Sequence, residues 1–380
     1  MSMMAFGYIM LSFSVAIVDG SYGDIINAFT SQSTGHLQIH HKKYLEDQNN
    51  FYAIADYKNI IDQFKDFSEV DKIAPRINGG GLAFANKKSA GVQFLGIDWD
   101  EENNLTNINS RIEFINKEKG PENQVYIGKK IAKILKLNVG DSFAMISNGV
   151  DGSIANDMFF VQAIMKESTF DDMNVYSSLA KAQEFFSLYG QVTHLSIKLK
   201  NIEDSRQFSL THQFENEAKM TLRPWQEVEK DFFVAMEMDK NGNVISELII
   251  IIIVSMGVLN TILMSLLERT KEFGLLKAIG TKPSQLASMI SLEIIVSALM
   301  SIFIAFFLAW GLNYYFSING IKYDEAMTYG GMTFSQVNAA ITIHSFLKPA
   351  IVILGSSILV SIIPMFKVIR MKPMDGLRDL

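Results

Sequence analysis

Three histidines crowd the segment 36–41, where His36, Gln38 and His40 alternate with Leu37, Ile39 and His41. Imidazole is a common zinc ligand, and the period-two alternation puts His36 and His40 on one face of a strand. Two histidines on one face, with no acid within that run, make a poor ligand set, and no metal is expected. Gly79-Gly80-Gly81 lacks the lysine and following serine or threonine that a phosphate-cradling loop places after its glycines, so a plain loop is expected. Gly274, Gly280, Thr281 and Lys282 stand in the wrong order for the same motif, and the chain itself is expected to bind no ATP. With no cysteine anywhere, thiol nucleophiles, disulfides and cysteine-ligated metals fall away together. No nucleophile–base pair emerges, and an enzyme is not expected. Glu293 stands out differently. It lies about two turns into an apolar run, where a carboxylate is costly unless paired or wetted. It is expected either to make a relay or gating contact, with Asn260 or a basic residue near the inner surface, or to reach the inner headgroup level.

The elements that must position these residues follow from length and hydropathy. At 380 residues the chain exceeds the roughly 250 to 300 residues at which single cores stop growing. Hydrophobic residues make up 48%, charged ones 19%, and the net charge is −6. That balance offers no concentrated basic surface for phosphates, so no nucleic-acid partner is expected. A helix needs about 20 apolar residues to cross a hydrocarbon layer roughly 30 Å thick, and four stretches are read as spans: 3–18, 244–267, 286–312 and 349–366. Glu247 is the only charge in the second. Trp310, Tyr314 and Tyr315 close the third as an aromatic boundary. Lys348-Pro349 opens the fourth, and Pro364, Lys367 and Arg370 close it. The first is short, but it lacks the basic start and cleavage site of a signal peptide. Lysine and arginine favour cytoplasmic loops. Arg269, Lys271, Lys277 and Lys282 place the loop 268–285 inside, and Lys367, Arg370, Lys372 and Arg378 do the same for the tail. Residues 19–243 and 313–348 then fall outside.

The outer segment reads as mixed α+β: a strand at 36–41, a strand entering a helix across 125–137, a glycine turn at Gly140, strands at 142–147, 159–165 and 193–199, and a helix at 179–189. Helical spacing of Val228, Phe232 and Met236 predicts a stalk over 225–238 leading into the second span, interrupted or bent at Lys240-Asn241-Gly242-Asn243.

The most specific stretch is Glu268-Arg269-Thr270-Lys271-Glu272-Phe273-Gly274-Leu275-Leu276-Lys277-Ala278-Ile279-Gly280-Thr281. Helical spacing gathers Phe273, Leu276 and Ile279, ringed by Arg269, Glu272 and Lys277. Such a helix either docks into a cytoplasmic partner or lies among the headgroups. The run resembles the cytoplasmic signature of the FtsX-like permease domain of MacB-like and lipoprotein-releasing (LolC/LolE-type) ABC transporters. The likeness continues through Asn260, Glu293, Ile363-Pro364 and Lys372-Pro373-Met374-Asp375-Gly376-Leu377-Arg378. In the outer segment, 35–40, 127–132, 137–141, 170–176 and Ala182-Gln183 resemble the MacB-like periplasmic core.

What the resemblance implies is a multi-pass permease of the bacterial inner membrane: a transmembrane helix at 1–18, an extracytoplasmic MacB-like core with stalk at 19–243, and an FtsX-like domain at 244–380. Its coupling helix, 268–280, would carry Glu268, Arg269, Glu272, Phe273, Lys277 and Gly280 against a separate cytoplasmic ABC ATPase subunit, which holds the ATP and magnesium. The further partners implied are a second permease copy or paralogue, a lipoprotein carrier or adaptor outside, and membrane lipids. Lipoprotein release by mechanotransmission is the function expected. The alternatives are efflux of peptides or small molecules and a regulatory role like that of the division-associated members, which the long outer segment disfavours. Two features depart from the family pattern. The basic cytoplasmic helix before the first span has no counterpart, so the N-terminus is expected to be incomplete, and the third span lacks the usual glycines. In their place Ser297, Ser301, Ala305 and Ala309 recur every four residues, a small-residue stripe that lets helices approach closely in lipid.

Overall fold

Apolar runs and alternating segments sort the chain into two kinds of structure. A computed structural model describes residues 1–45, 52–116, 122–167, 170–214, 219–329 and 332–370. The chain begins with α1 (Ser2–Gln32) and continues through β1 (Leu37–His41), α2 (Tyr57–Lys65), β2 (Val70–Ala85), β3 (Lys88–Ile97), α3 (Trp99–Thr106), β4 (Ile112–Ile115), β5 (Gln124–Ile127), α4 (Lys129–Leu135) and β6 (Ser142–Asn148). Next come β7 (Ile154–Met165), β8 (Asn174–Ser178), α5 (Leu179–Phe185), β9 (His194–Leu199), α6 (Ser205–Thr211), β10 (Met220–Pro224) and α7 (Trp225–Val228). The last third holds α8 (Lys230–Glu268), α9 (Thr270–Ala278), α10 (Pro283–Asn319), the hairpin β11 (Ile321–Tyr329) and β12 (Met332–Val337), and α11 (Ile343–Arg370). Two compact units result. One takes Met1–Asp24, Ala235–Asp324 and the residues from Ser335; the other takes Ile25–Val234 with Glu325–Phe334.

In the second unit, the strand order β10-β1-β9-β2-β3-β8-β5-β7-β4 forms one sheet, and β6 bridges β2 and β7. The pairings β2–β3–β8–β5–β7–β6 therefore return to β2 and close a circuit of six strands. Within it Phe94, Phe143 and Phe159 are fully buried, each such side chain stabilising the fold by about 1.5–3 kcal/mol. Asn86 and Lys87 join β2 to β3 with φ of 51° and 61°, the two-residue turn whose twist matches antiparallel strands. The sheet overrides the expected loop at Gly79-Gly80-Gly81, which lies inside β2. Of the three, Gly81 serves packing: a Cβ on it would stand 2.3 Å from Met145 Cε of β6.

Several buried polar groups of this unit are paired across elements. Arg76 of β2 donates from Nε and Nη2 to Glu102 of α3 at 2.8 and 2.7 Å, and Thr106 donates to the same carboxylate at 2.8 Å. Arg111 holds Asp171 at 2.7 Å, and Tyr176 donates to Asp171 at 2.6 Å. His36 accepts from the Leu199 backbone N–H at 3.1 Å, and burial first and Lys198 second lower its pKa to about 4. Burial likewise lowers His40 and, further, His194. The histidine pair read from the sequence is thus used for neutral packing.

The first unit contains helices long and apolar enough to cross a membrane: α1, α8, α10 and, within α11, Ile343–Ile362. Glycines set how closely they meet. A Cβ on Gly7 of α1 would strike Val254 of α8 at 2.4 Å, and one on Gly257 of α8 would strike Met3 at 2.3 Å. Ser12 of α1 accepts from Asn313 of α10 at 3.1 Å, and Phe13 meets Phe316 with ring centroids 5.1 Å apart. α1 runs well past the expected end at residue 18. The expected bend at Lys240-Asn241-Gly242-Asn243 is absent, because α8 continues unbroken through it; the chain breaks earlier, at Glu229 between α7 and α8. A single exposed glycine costs a helix about 1 kcal/mol, which the long flanking segments outweigh. The closing motif at 372–378 lies outside the described residues.

Candidate functional site

α8 ends at Glu268 and α9 begins at Thr270, with Arg269 between them at φ −102° and ψ 15°. This one non-helical residue turns the chain and leaves the Arg269 guanidinium to act as a clasp. Its Nε donates to Glu272 at 2.9 Å, and its Nη1 donates to both oxygens of Glu293 on α10, at 2.7 and 2.9 Å. Glu272 first and Glu293 second raise the guanidinium pKa. α9 then stops where glycine is needed. Gly280 has φ +97°, and the bonds Thr281 N–H to Leu276 O at 3.0 Å and Gly280 N–H to Lys277 O at 3.1 Å form the paired C-terminal cap that a left-handed residue permits. Pro283 opens α10 in its first turn, where a missing N–H costs nothing.

The apolar side chains of α9 divide between two faces. Phe273 is 1% exposed and packs with Leu266, Leu286 and Ile290, with Leu276 partly buried beside it. Leu275 and Ile279 point the other way, 57% and 73% exposed, next to exposed Lys271 and Glu272. The sequence grouped Phe273, Leu276 and Ile279; the structure brings the first two together and sends Ile279 outward with Leu275. Glu268 and Gly280 are exposed and Lys277 is half-buried, its ammonium pKa lowered by desolvation.

Glu293 takes Arg269 as its partner, while Asn260 is exposed on α8. With Ser297, Thr261 and Ser265, Glu293 lines a cavity of about 130 Å³. Ser301, Ala305 and Ala309 are at most 1% exposed, and Ser297 is half-buried. Ser301 donates to the Met1 carbonyl at 3.1 Å, so the stripe packs between helices.

Residues 1–209 match the MacB-like periplasmic core domain, and residues 244–373 match the FtsX-like permease C-terminal domain. The chain belongs to the ABC transporter permeases of the MacB/FtsX type. Among curated relatives, the ABC transporter permease YtrF of Bacillus subtilis (strain 168) is 30% identical over 128 residues, 32% of this chain and 28% of that protein's length. The extracellular domain of the noncanonic ABC-type transporter YknZ from Gram-positive bacteria superposes with a TM-score of 0.33 and 12% identity, over 46% of this chain and 88% of that one. The periplasmic region of MacB from Actinobacillus actinomycetemcomitans gives a TM-score of 0.37 and 11% identity, over 53% and 94%.

The permease also carries polar pairs that the sequence reading passed over, all at the ends of α8 and α11 away from α9. Lys348 reaches Glu247 at 2.7 Å, His344 lies 3.0 Å from Asp19, and Tyr22 donates to Asp239 at 2.7 Å. A usable signal existed for the first: Glu247 is the lone charge of its span and Lys348 opens another, so each stands at the boundary of an apolar run.

Proposed function

We propose that this permease takes up work from a separate cytoplasmic ABC ATPase subunit through α9 and passes it, by way of α8, to handle a substrate outside the membrane. The observation that carries this reading is the exposed Leu275–Ile279 pair, held in place by a buried Phe273 and by the Arg269 clasp on α10. A short helix that spends two apolar side chains on its own bundle and turns two outward is suited to a groove on a partner. ATP and magnesium would be bound by that partner. In this reading the protein is a multi-pass component of the bacterial plasma membrane, with the loop bearing Arg269, Lys271, Lys277 and Lys282 on the cytoplasmic side, and it assembles with a second permease, itself or a paralogue.

The finer form of the proposal is release of a lipid-anchored substrate from the outer leaflet to a soluble carrier. The sequence resemblance to lipoprotein-releasing permeases supports it. Photo-crosslinkers at Leu275 and Ile279, in membranes that also contain cytoplasmic ABC ATPase subunits of the source cell, test the coupling. Adducts with the ATPase are expected from both positions, and adducts from neither would end the coupling role. Release of a lipoprotein from proteoliposomes to a soluble acceptor, compared with export of a free peptide, tests the substrate.

A further inference from the structure

A cavity of about 730 Å³ opens on the sheet face of the α/β unit, within the size range of small-molecule sites. Its walls include Arg76 and Asn78 of β2, Gln93 of β3, Asn174 of β8 and His194 of β9. Charge inside it does not balance. Arg76 is neutralised by Glu102, and burial keeps His194 uncharged at neutral pH. Glu229, also in the wall, has no cationic partner among the described residues, and burial first and Asp231 second raise its pKa. A desolvated carboxylate facing a cavity selects a cation and rejects an anion.

The same face continues beyond the cavity, because residues paired across antiparallel strands share a face. Asn78 pairs with Leu95, Gly80 with Gln93 and Leu82 with Gly91. Leu82 pairs in turn with Ile146, Phe84 with Ala144, and Ala144 with Met158. Polar at Asn78, the face becomes bare at Gly80 and Gly91, where a Cβ would meet nothing within 4 Å. It then turns apolar, with Leu82, Phe84, Ile146 and Met158 between 36% and 46% exposed. At about 3.3 Å per residue, Asn78 to Phe84 covers roughly 20 Å. Isolated exposed apolar residues need no explanation, but a contiguous strip running out of a polar cavity does.

We propose that this face binds a single-chain amphiphile bearing a protonated primary amine, its ammonium on Glu229 in the cavity and its aliphatic chain laid over Gly80 and Gly91 onto Leu82, Phe84, Ile146 and Met158. The glycines leave the floor flat enough for a methylene chain to cross. The site is independent of the ATP-coupled reading, and its test contains no ATPase.

The full chain in phosphatidylcholine nanodiscs, which offer no primary amine, is photolabelled with a dodecylamine carrying a mid-chain diazirine, and adducts are mapped by mass spectrometry. Adducts are expected on peptides containing Leu82–Phe84, Ile146 and Met158, displaced by dodecylamine and not by dodecanol. Glu229→Gln should weaken labelling about tenfold, the loss of one charge-assisted contact. Gly80→Leu, whose side chain enters open space, should abolish labelling while thermal unfolding stays unchanged, which separates blockage from misfolding. Adducts confined to the membrane helices, equal displacement by dodecanol, or unchanged labelling in Gly80→Leu would each overturn the proposal.

Discussion

Arg269 donates to both carboxylate oxygens of Glu293 from a single nitrogen, at 2.7 and 2.9 Å, while its Nε holds Glu272 at 2.9 Å. One guanidinium thus ties the start of α9 to a side chain of α10. An exposed pair of this kind stabilises by only about 0.2–1 kcal/mol, too little to explain it as a stability device. Glu293→Gln should therefore shift thermal unfolding by less than about 1 kcal/mol. If the clasp transmits motion, ATP-driven turnover of the assembled transporter should fall about fivefold or more, the scale of common coupling energies. The exchange Arg269→Glu with Glu293→Arg should recover part of it. Unchanged turnover in Glu293→Gln would leave the clasp without a role in transmission.

Phe273 and Leu275 lie two positions apart with opposite expected behaviour. Phe273 is buried against Leu286 and Ile290, so Phe273→Ala should destabilise the helical unit by about 3–5 kcal/mol, as core truncations of this size do. Any loss of ATPase association in that variant is confounded by the damage. Leu275→Asp and Ile279→Asp should leave unfolding within about 0.5 kcal/mol, as for surface changes, and yet reduce co-purification of the ATPase. Equal co-purification of both aspartate variants and the unaltered chain would show that this face docks nothing.

The long apolar segments and the alternating strands were legible because their period reports directly on which face is buried, and α8, β6 and α5 sit where hydropathy or alternation placed them. The facing of α9 was not legible. Helical spacing groups Phe273 with both Leu276 and Ile279, and only the turn at Arg269 decides which of them meets the bundle. Gly79-Gly80-Gly81 misled for a related reason: glycine in a strand can mark close approach of a neighbour, and Gly81 meets Met145 from a strand distant in sequence. The pairings Arg269–Glu293 and Lys348–Glu247 join charges on different helices; their places in or beside apolar runs hint that each needs a partner, but no local pattern encodes which one.

The three buried histidines make the α/β unit sensitive to acid. His36 titrates at about 4 in the folded chain, against about 6.5 when unfolded. Between those values the unfolded chain binds a proton that the folded chain does not, so stability is full above about pH 6.5 and is lost as pH falls toward 4. From pH 7 to 5, His36 alone should cost about 2 kcal/mol, and His40 and His194, both lowered by burial, act with the same sign. Thermal unfolding of the full chain in detergent across this range should show the loss, and His36→Asn should flatten the slope. A curve that rises on acidification would mean that these imidazoles are charged in the folded state.

Ser301 and Asn313 bond α10 to α1 through the Met1 carbonyl and the Ser12 hydroxyl, and Ala305 and Ala309 lie fully buried on the stripe between them. Two contributions to helix contact can therefore be ranked. Interhelical hydrogen bonds in membranes average about 0.6 kcal/mol, because the separated helices also find polar partners, so Asn313→Ala should cost near that amount. Ala309→Leu adds methylenes at a fully buried position of α10, and overpacking of that kind costs about 1–3 kcal/mol. Unfolding of both variants in a denaturing detergent titration should place Ala309→Leu as the more damaging. The reverse order would mean that the polar contacts hold α1 against α10 and that the small residues only fill space.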